Sequence, residues 1–183
     1  RPDVAQALKQ MVPGALHVTG ATPTPLICDY LTPDTLGADR LAAAVGAASI
    51  FPECHLLIVD AGTCITYDYV SAEGHYFGGN ISLGLGMRLR ALHEQTARLP
   101  LVSAERNLET IGHDTPNAIR AGVLQGMDYE IKGYIRHMMQ QHPDAHVFLT
   151  GGNGFRFAKE AEVERNDALV EIGLNCILQH NQR

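Results

Sequence analysis

The chain has 183 residues, 45% of them hydrophobic and 19% charged, with a formal net charge of −6 at pH 7. That balance suits a folded globular protein with a real core, in one compact domain or two small lobes. The acidic excess argues against a nucleic-acid or anionic-membrane partner, because the basic residues are scattered and their densest grouping is Arg88, Arg90 and Arg98. No apolar run approaches the roughly 20 residues of a bilayer span, and no signal-peptide pattern is visible. Cys28, Cys54, Cys64 and Cys176 form no C-x-x-C pair and lie among apolar residues, which predicts reduced thiols and a cytoplasmic location.

In chain order, "DVAQALKQMVPG" predicts a helix with Val4, Leu8 and Met11 on one face, stopped by Pro13-Gly14. "ALHV" and "PLIC" are short strand candidates on either side of a Thr/Pro-rich turn. An alanine-rich helix follows over about residues 38–48, with side chains small enough for very close packing. Three strands are predicted next, at 55–60, 64–70 and 75–81, the last two joined by "SAEG" as a hairpin. Leu85, Leu89 and Leu92 have helical spacing. A polar loop over about 99–114 leads into a long helix from Pro116 to about Gln141, with Asp114 or Thr115 as its cap. "HVFLTGGNG" reads as a buried strand running into glycines, "AEVER" as a weak strand and "ALVEIGLNCILQH" as a last amphipathic helix. A three-strand meander followed by alternating helices and strands implies an α/β fold, a ribonuclease-H-like mixed sheet flanked by helices.

Three strand ends carry candidate chemistry. Asp60-Ala61-Gly62-Thr63 sets a carboxylate at a strand terminus before a turn with a hydroxyl. An anionic side chain beside phosphate is useful only with a cation between them, and Thr63 is a donor to phosphate oxygen. An ordinary turn explains the same residues equally well. "FGGNISLGLGMRLRAL" sets Gly84 and Gly86 at a helix mouth, where unpaired amides hold anions. The alternative is that Gly78 and Gly79 shape the strand end while Gly84 and Gly86 allow tight helix packing. "LTGGNG" ends a third strand, and its glycines suit either a flat-ring floor or a simple turn. Asp39-Arg40 begins a helix after Gly37: a base beside a cationic anchor, or a carboxylate favoured by the helix dipole next to a surface ion pair. The nine histidines form no convincing metal set, since Pro143 interrupts the spacing of His142 and His146.

Taken together, "TPDTLGADRLAAAVGA", "VDAGTCITYDYV", "GHYFGGNISLGLGMRLRAL", "TARLP", "IGHDTPNAIRAG" and "LTGGN" resemble the type III pantothenate kinases, in that order and over roughly residues 27–178. The resemblance implies an actin-like ATPase fold of two ribonuclease-H-like lobes, with residues 1–54 the remainder of the first and 55–183 the second. It implies transfer of the γ-phosphoryl group of magnesium-bound ATP to pantothenate, the entry step to coenzyme A. Asp39 matches the family's proton acceptor. Gly37, Ala38, Asp39 and Arg40 match its pantothenate segment, with Tyr30 a further substrate contact. Arg40 suits a carboxylate such as pantothenate's. Asp60 matches the ligand of a monovalent cation (potassium or ammonium), Thr63 an ATP contact, and Thr115 a substrate contact given across a homodimer interface. The family's first phosphate loop, Asp-x-Gly-Asn-Thr, is expected N-terminal to Arg1, so the first lobe is incomplete in this chain. Leu83 stands where many relatives carry Pro. Two other functions compete: a related kinase with another small acceptor, and a non-catalytic regulator like the relatives named Bvg accessory factors.

Overall fold

The computed structural model describes residues 4, 7, 10–12, 14–104, 110–152 and 163–182. Strands β2 (Leu56–Ala61), β3 (Cys64–Val70) and β4 (His75–Leu83) form the predicted antiparallel meander. Strand β1 (Ile27–Cys28) joins β4 in parallel, and β5 (His146–Thr150) and β6 (Val163–Arg165) extend the sheet in parallel beyond β2. The order is β1-β4-β3-β2-β5-β6. Apart from the two-residue β1, this is a ribonuclease-H-like sheet, in which a meander is followed by parallel strands on its first-strand side.

Helices cover both faces: α1 (Ala38–Ile50) and α4 (Leu169–Asn181) on one, α2 (Leu85–Glu94) and α3 (Thr115–Gln141) on the other. The two-residue period of β2 separates the cores. Leu57, Val59 and Ala61 pack under α3, while Leu56 and Ile58 pack under α1. On α3 a stripe of Ile119, Val123, Met127, Ile131, Ile135 and Met138 repeats at helical spacing and is buried. Asp114 caps this helix, its Oδ1 accepting from the Asn117 amide at 2.8 Å.

The alanine-rich α1 packs as its composition predicts. A Cβ on Gly46 would meet the Leu169 carbonyl oxygen, and one on Gly173 the Ala42 carbonyl oxygen, so α1 and α4 approach backbone to backbone.

Some expectations change. "ALHV" is not a strand: Ala15, Leu16 and His17 are exposed, and no ladder partner holds them. "PLIC" shrinks to Ile27–Cys28, and Cys28 is exposed rather than set among apolar neighbours. Strand β4 runs two residues further than predicted because Leu83 pairs with Cys64. Of the first predicted helix, Val4, Ala7, Gln10 and Met11 are helical and Leu8 lies outside the described residues. Asn153 and Gly154 of "LTGGNG" also lie outside them. All four cysteines are unpaired. No described helix is long and apolar enough to cross a membrane.

Candidate active site

Gly37 is the N-cap of α1 and makes no side-chain capping bond. Asp39, in the first turn, supplies one instead: its Oδ1 accepts from the backbone amide of Arg40 at 2.9 Å. The carboxylate thus folds over the helix mouth while remaining exposed. Gly37 makes this possible, since a Cβ there would lie 2.5 Å from Asp39 Oδ1.

The next residue points the other way. Arg40 is 8% exposed and reaches the sheet, donating from Nε to both Asp68 oxygens at 3.1 Å and from Nη2 to Oδ1 at 2.6 Å. Tyr76 donates its hydroxyl to the same Oδ1 at 2.7 Å. Burial works to lower the Arg40 pKa, but the Asp68 carboxylate outweighs it and holds the guanidinium above its ordinary value. Burial, then the Asp68 charge, pushes the Tyr76 hydroxyl up as well, so it stays a donor. Tyr30 lies beneath this pair with its ring centroid 5.8 Å from the guanidinium carbon. Its ring occupies the place that a Cβ on Gly78 would need; Gly78 has φ +87°.

Asp60 follows Leu56 and Ile58 on the α1 face, at the end of β2. Its carboxyl is raised above the usual range by burial first, then by the charges of Asp39 and Asp68. Asp39 and Asp68, the latter already neutralised by Arg40, are therefore both within electrostatic reach of Asp60. Glycines make the room around Asp60: a Cβ on Gly151, where φ is +103°, would lie 2.5 Å from its Oδ1, and one on Gly62 3.4 Å away. Gly84 donates its amide to the Thr63 carbonyl at 3.2 Å, so the mouth of α2 is laced to the Asp60 turn. Thr63 itself is exposed. Among the described residues no three His, Cys, Asp or Glu side chains form a metal-binding group. Asp60 is thus a partly buried carboxylate, with the exposed Asp39 adding its charge nearby.

A family model described as type III pantothenate kinase matches residues 1–137. A protein of that name from Bacteroides fragilis is 51% identical over 180 residues, covering 97% of this chain and 74% of the relative. One from Phocaeicola vulgatus is 43% identical over 182 residues, covering 98% and 75%. One from Porphyromonas gingivalis is 44% identical over 183 residues, covering 97% and 75%. This chain belongs to the type III pantothenate kinase family. Among solved structures, a Campylobacter jejuni chain assigned to a Baf family of transcriptional activators superposes with a TM-score of 0.61. It is 24% identical, with 86% of this chain and 69% of that one covered, a likeness of fold alone.

For a type III pantothenate kinase, the residues singled out in the sequence divide into two sets. Tyr30, Gly37, Ala38, Asp39, Arg40 and Asp60 gather at the N-terminal end of α1 and the C-terminal end of β2, with Thr63 on the adjoining turn. Thr115 does not join them: it is exposed at the start of α3, on the opposite face of the sheet. His142 and His146 stay apart from both, His142 in the ring stack with His55 and Tyr69, His146 stacked on Phe51. Of the two sequence readings of Arg40, the ion pair is present, but it is buried against Asp68 on β3 rather than on the surface, and it commits Nε and Nη2. Sequence reasoning missed Asp68 and Tyr76. The signal was there, since an Asp inside the strand run "CITYDYV" must find a partner once buried. A cavity of about 270 Å³ lined in part by Phe51, Cys54 and Cys176 lies at the far end of α1, away from this site.

Proposed function

We propose that this protein phosphorylates pantothenate with ATP, forming 4′-phosphopantothenate at the entry to coenzyme A synthesis. Membership of the kinase family supports this reading. The observation that carries it is the placing of Asp39, at an open helix mouth, within electrostatic reach of the half-buried Asp60. Asp39 is the proton acceptor. As the substrate's primary hydroxyl oxygen bonds to the γ-phosphorus and the bond to the β–γ bridging oxygen breaks, the hydroxyl proton passes to Asp39 and ADP leaves. The transition state of such a transfer is loose, so orienting the hydroxyl matters more than base strength.

Gly37, Ala38 and Tyr30 line the pantothenate side, and Arg40 takes part through the edge of its guanidinium not held by Asp68. Asp60 holds a monovalent cation, potassium or ammonium, which supplies charge neutralisation beside the phosphates of Mg-ATP. Thr63 contacts ATP, and Gly151 and Gly152 border the nucleotide. Thr115 serves a neighbouring copy in a homodimer; support comes from its position on the face opposite α1, and from exposed Ile111 and Ile81 beside it and on β4. Residues 1–54 belong to the first lobe and 55–183 to the second, although β1 and α1 pack on the same sheet as the rest. The cytoplasm, where both substrates occur, is the location.

No comparison favours a regulatory role or another acceptor. ADP release by the full-length protein, with pantothenate set against sugars and other hydroxy acids, tests the reading. Turnover confined to pantothenate is expected. Equal or faster turnover with another acceptor would assign the site to that acceptor.

A further inference from the structure

We infer that Asp68 is a positioning residue for phosphoryl transfer, fixing the Asp39 carboxylate by holding Arg40. The inference rests on the reading of Asp39 as the proton acceptor. Asp68 lies mid-strand on β3, 1% exposed, opposite Ile58 on one side and Gly79 on the other. A buried ion pair is a poor device for stability, because well-packed apolar side chains in its place serve as well or better. Here the pair is fully matched. Asp68 Oδ1 accepts from Arg40 Nε, Arg40 Nη2 and the Tyr76 hydroxyl, and Oδ2 accepts from Nε. No buried side-chain polar atom among the described residues lacks a partner. The geometry is that of a clamp.

The clamp grips α1 where the helix has least to hold it. The rest of its buried face is Leu41, Ala42, Ala43, Ala44, Val45, Gly46 and Ala47, and the close approach to α4 at Ala42 and Gly46 holds the middle of the helix rather than its mouth. Gly37 caps without a side chain. Arg40, the third residue of the helix, is pinned to β3 through its guanidinium and holds the Asp39 carboxylate through its own backbone amide. Fixing the one end therefore fixes the other. Tyr76 completes the clamp from β4, so two strands and a helix set the place of a single exposed carboxylate.

The test is a double-mutant cycle on the full-length protein: wild type, Asp39→Asn, Asp68→Asn and the double variant, each with kcat, both KM values and binding of a non-hydrolysable ATP analogue. Misplacing a catalytic group by about 1 Å costs on the order of 10²-fold, and a fall in kcat approaching that is expected for Asp68→Asn, with ATP-analogue affinity unchanged. In the Asp39→Asn background the same substitution is expected to have no further effect, because its target is already gone. Unchanged kcat in Asp68→Asn, or losses that multiply in the double variant, would overturn the inference. If Asp68→Asn does not fold, Tyr76→Phe replaces it, withdrawing one bond from Asp68 Oδ1 and leaving both charges. A fall in kcat confined to the Asp39 background supports the clamp, and no fall contradicts it. Wild-type turnover in Asp39→Asn alone would instead remove the proton-acceptor reading, which separates the two failures.

Discussion

The two faces of the sheet carry the same trio of side chains in different surroundings. On the α1 face Arg40, Asp68 and Tyr76 meet with the ionic partners 8% and 2% exposed. On the α3 face Arg88, Glu130 and Tyr67 meet with them 18% and 25% exposed. There Arg88 Nη2 reaches Glu130 Oε2 at 2.5 Å, and Tyr67 donates to Oε1 at 2.7 Å. Arg88 also holds the end of β4, donating to the Leu83 carbonyl and the Ser82 hydroxyl. An arginine, a carboxylate and a tyrosine thus fasten a helix to the meander twice. The difference in water teaches what each is for. The wetter trio can lose a member and be rehydrated, so it ties α2, α3 and the meander together cheaply. The dry trio cannot, and through Arg40 it adjoins Asp39, the proposed proton acceptor.

The comparison breaks most visibly at Asp68. Replacing it by Ala leaves the Arg40 charge buried without its partner, and chemical denaturation is expected to show a loss of about 3–5 kcal/mol. A loss no greater than that of the matching Glu130 variant would make the two trios equivalent. Gly37→Ala has a smaller effect, on activity rather than stability. Its φ of −60° suits any residue, but the new Cβ crowds Asp39 Oδ1, and kcat is expected to fall about tenfold, or ~1.4 kcal/mol of barrier, with little change in Tm. An unchanged kcat would mean the carboxylate is not held over the helix mouth during turnover.

Asp60 gives the next effect. Its pKa is raised in the folded protein, so the fold binds more protons than the unfolded chain over that interval. Stability attributable to Asp60 therefore declines as pH rises from the ordinary carboxylate range through the raised value. The cation proposed at Asp60 would offset that at neutral pH. Potassium is expected to raise the wild-type Tm at pH 7, less so in acid, and not at all in Asp60→Asn. Equal potassium responses in both proteins would take the cation away from Asp60.

The smallest effect belongs to Glu130. Burial pushes its carboxyl up, but hydrogen bonds from Arg88, Tyr67 and Ser82 outweigh that and leave it below the usual range. Its contribution is present above the unfolded pKa and is lost as pH falls through the lower folded value. Because the pair is partly hydrated, Glu130→Gln is expected to cost less than about 1 kcal/mol near neutral pH. A cost approaching that of Asp68→Ala would erase the contrast.

The sequence discloses elements whose signals are local, and it discloses fewer of the contacts between them. The meander, the alanine-rich helix and the Asp114 cap were legible because alternation, composition and capping chemistry act over a few residues. The Asp39 and Asp60 motifs were legible as a constellation through their family resemblance. The ion pair of Arg40 was expected at the surface and is buried, because its partner is 28 residues away on another element and neither spacing nor composition says which way a guanidinium turns. "ALHV" failed for the opposite reason: its propensity is local, but a strand needs a neighbour, and the sheet offers none there.

The most direct test is ATP-dependent phosphorylation of pantothenate in potassium buffer by the full-length protein and its Asp39→Asn variant, with ATP-analogue binding followed in both. Turnover by the wild type, a loss of 10²-fold or more in the variant and equal nucleotide binding are predicted. Wild-type turnover in the variant, or no pantothenate phosphorylation by a protein that still binds ATP, would contradict the account.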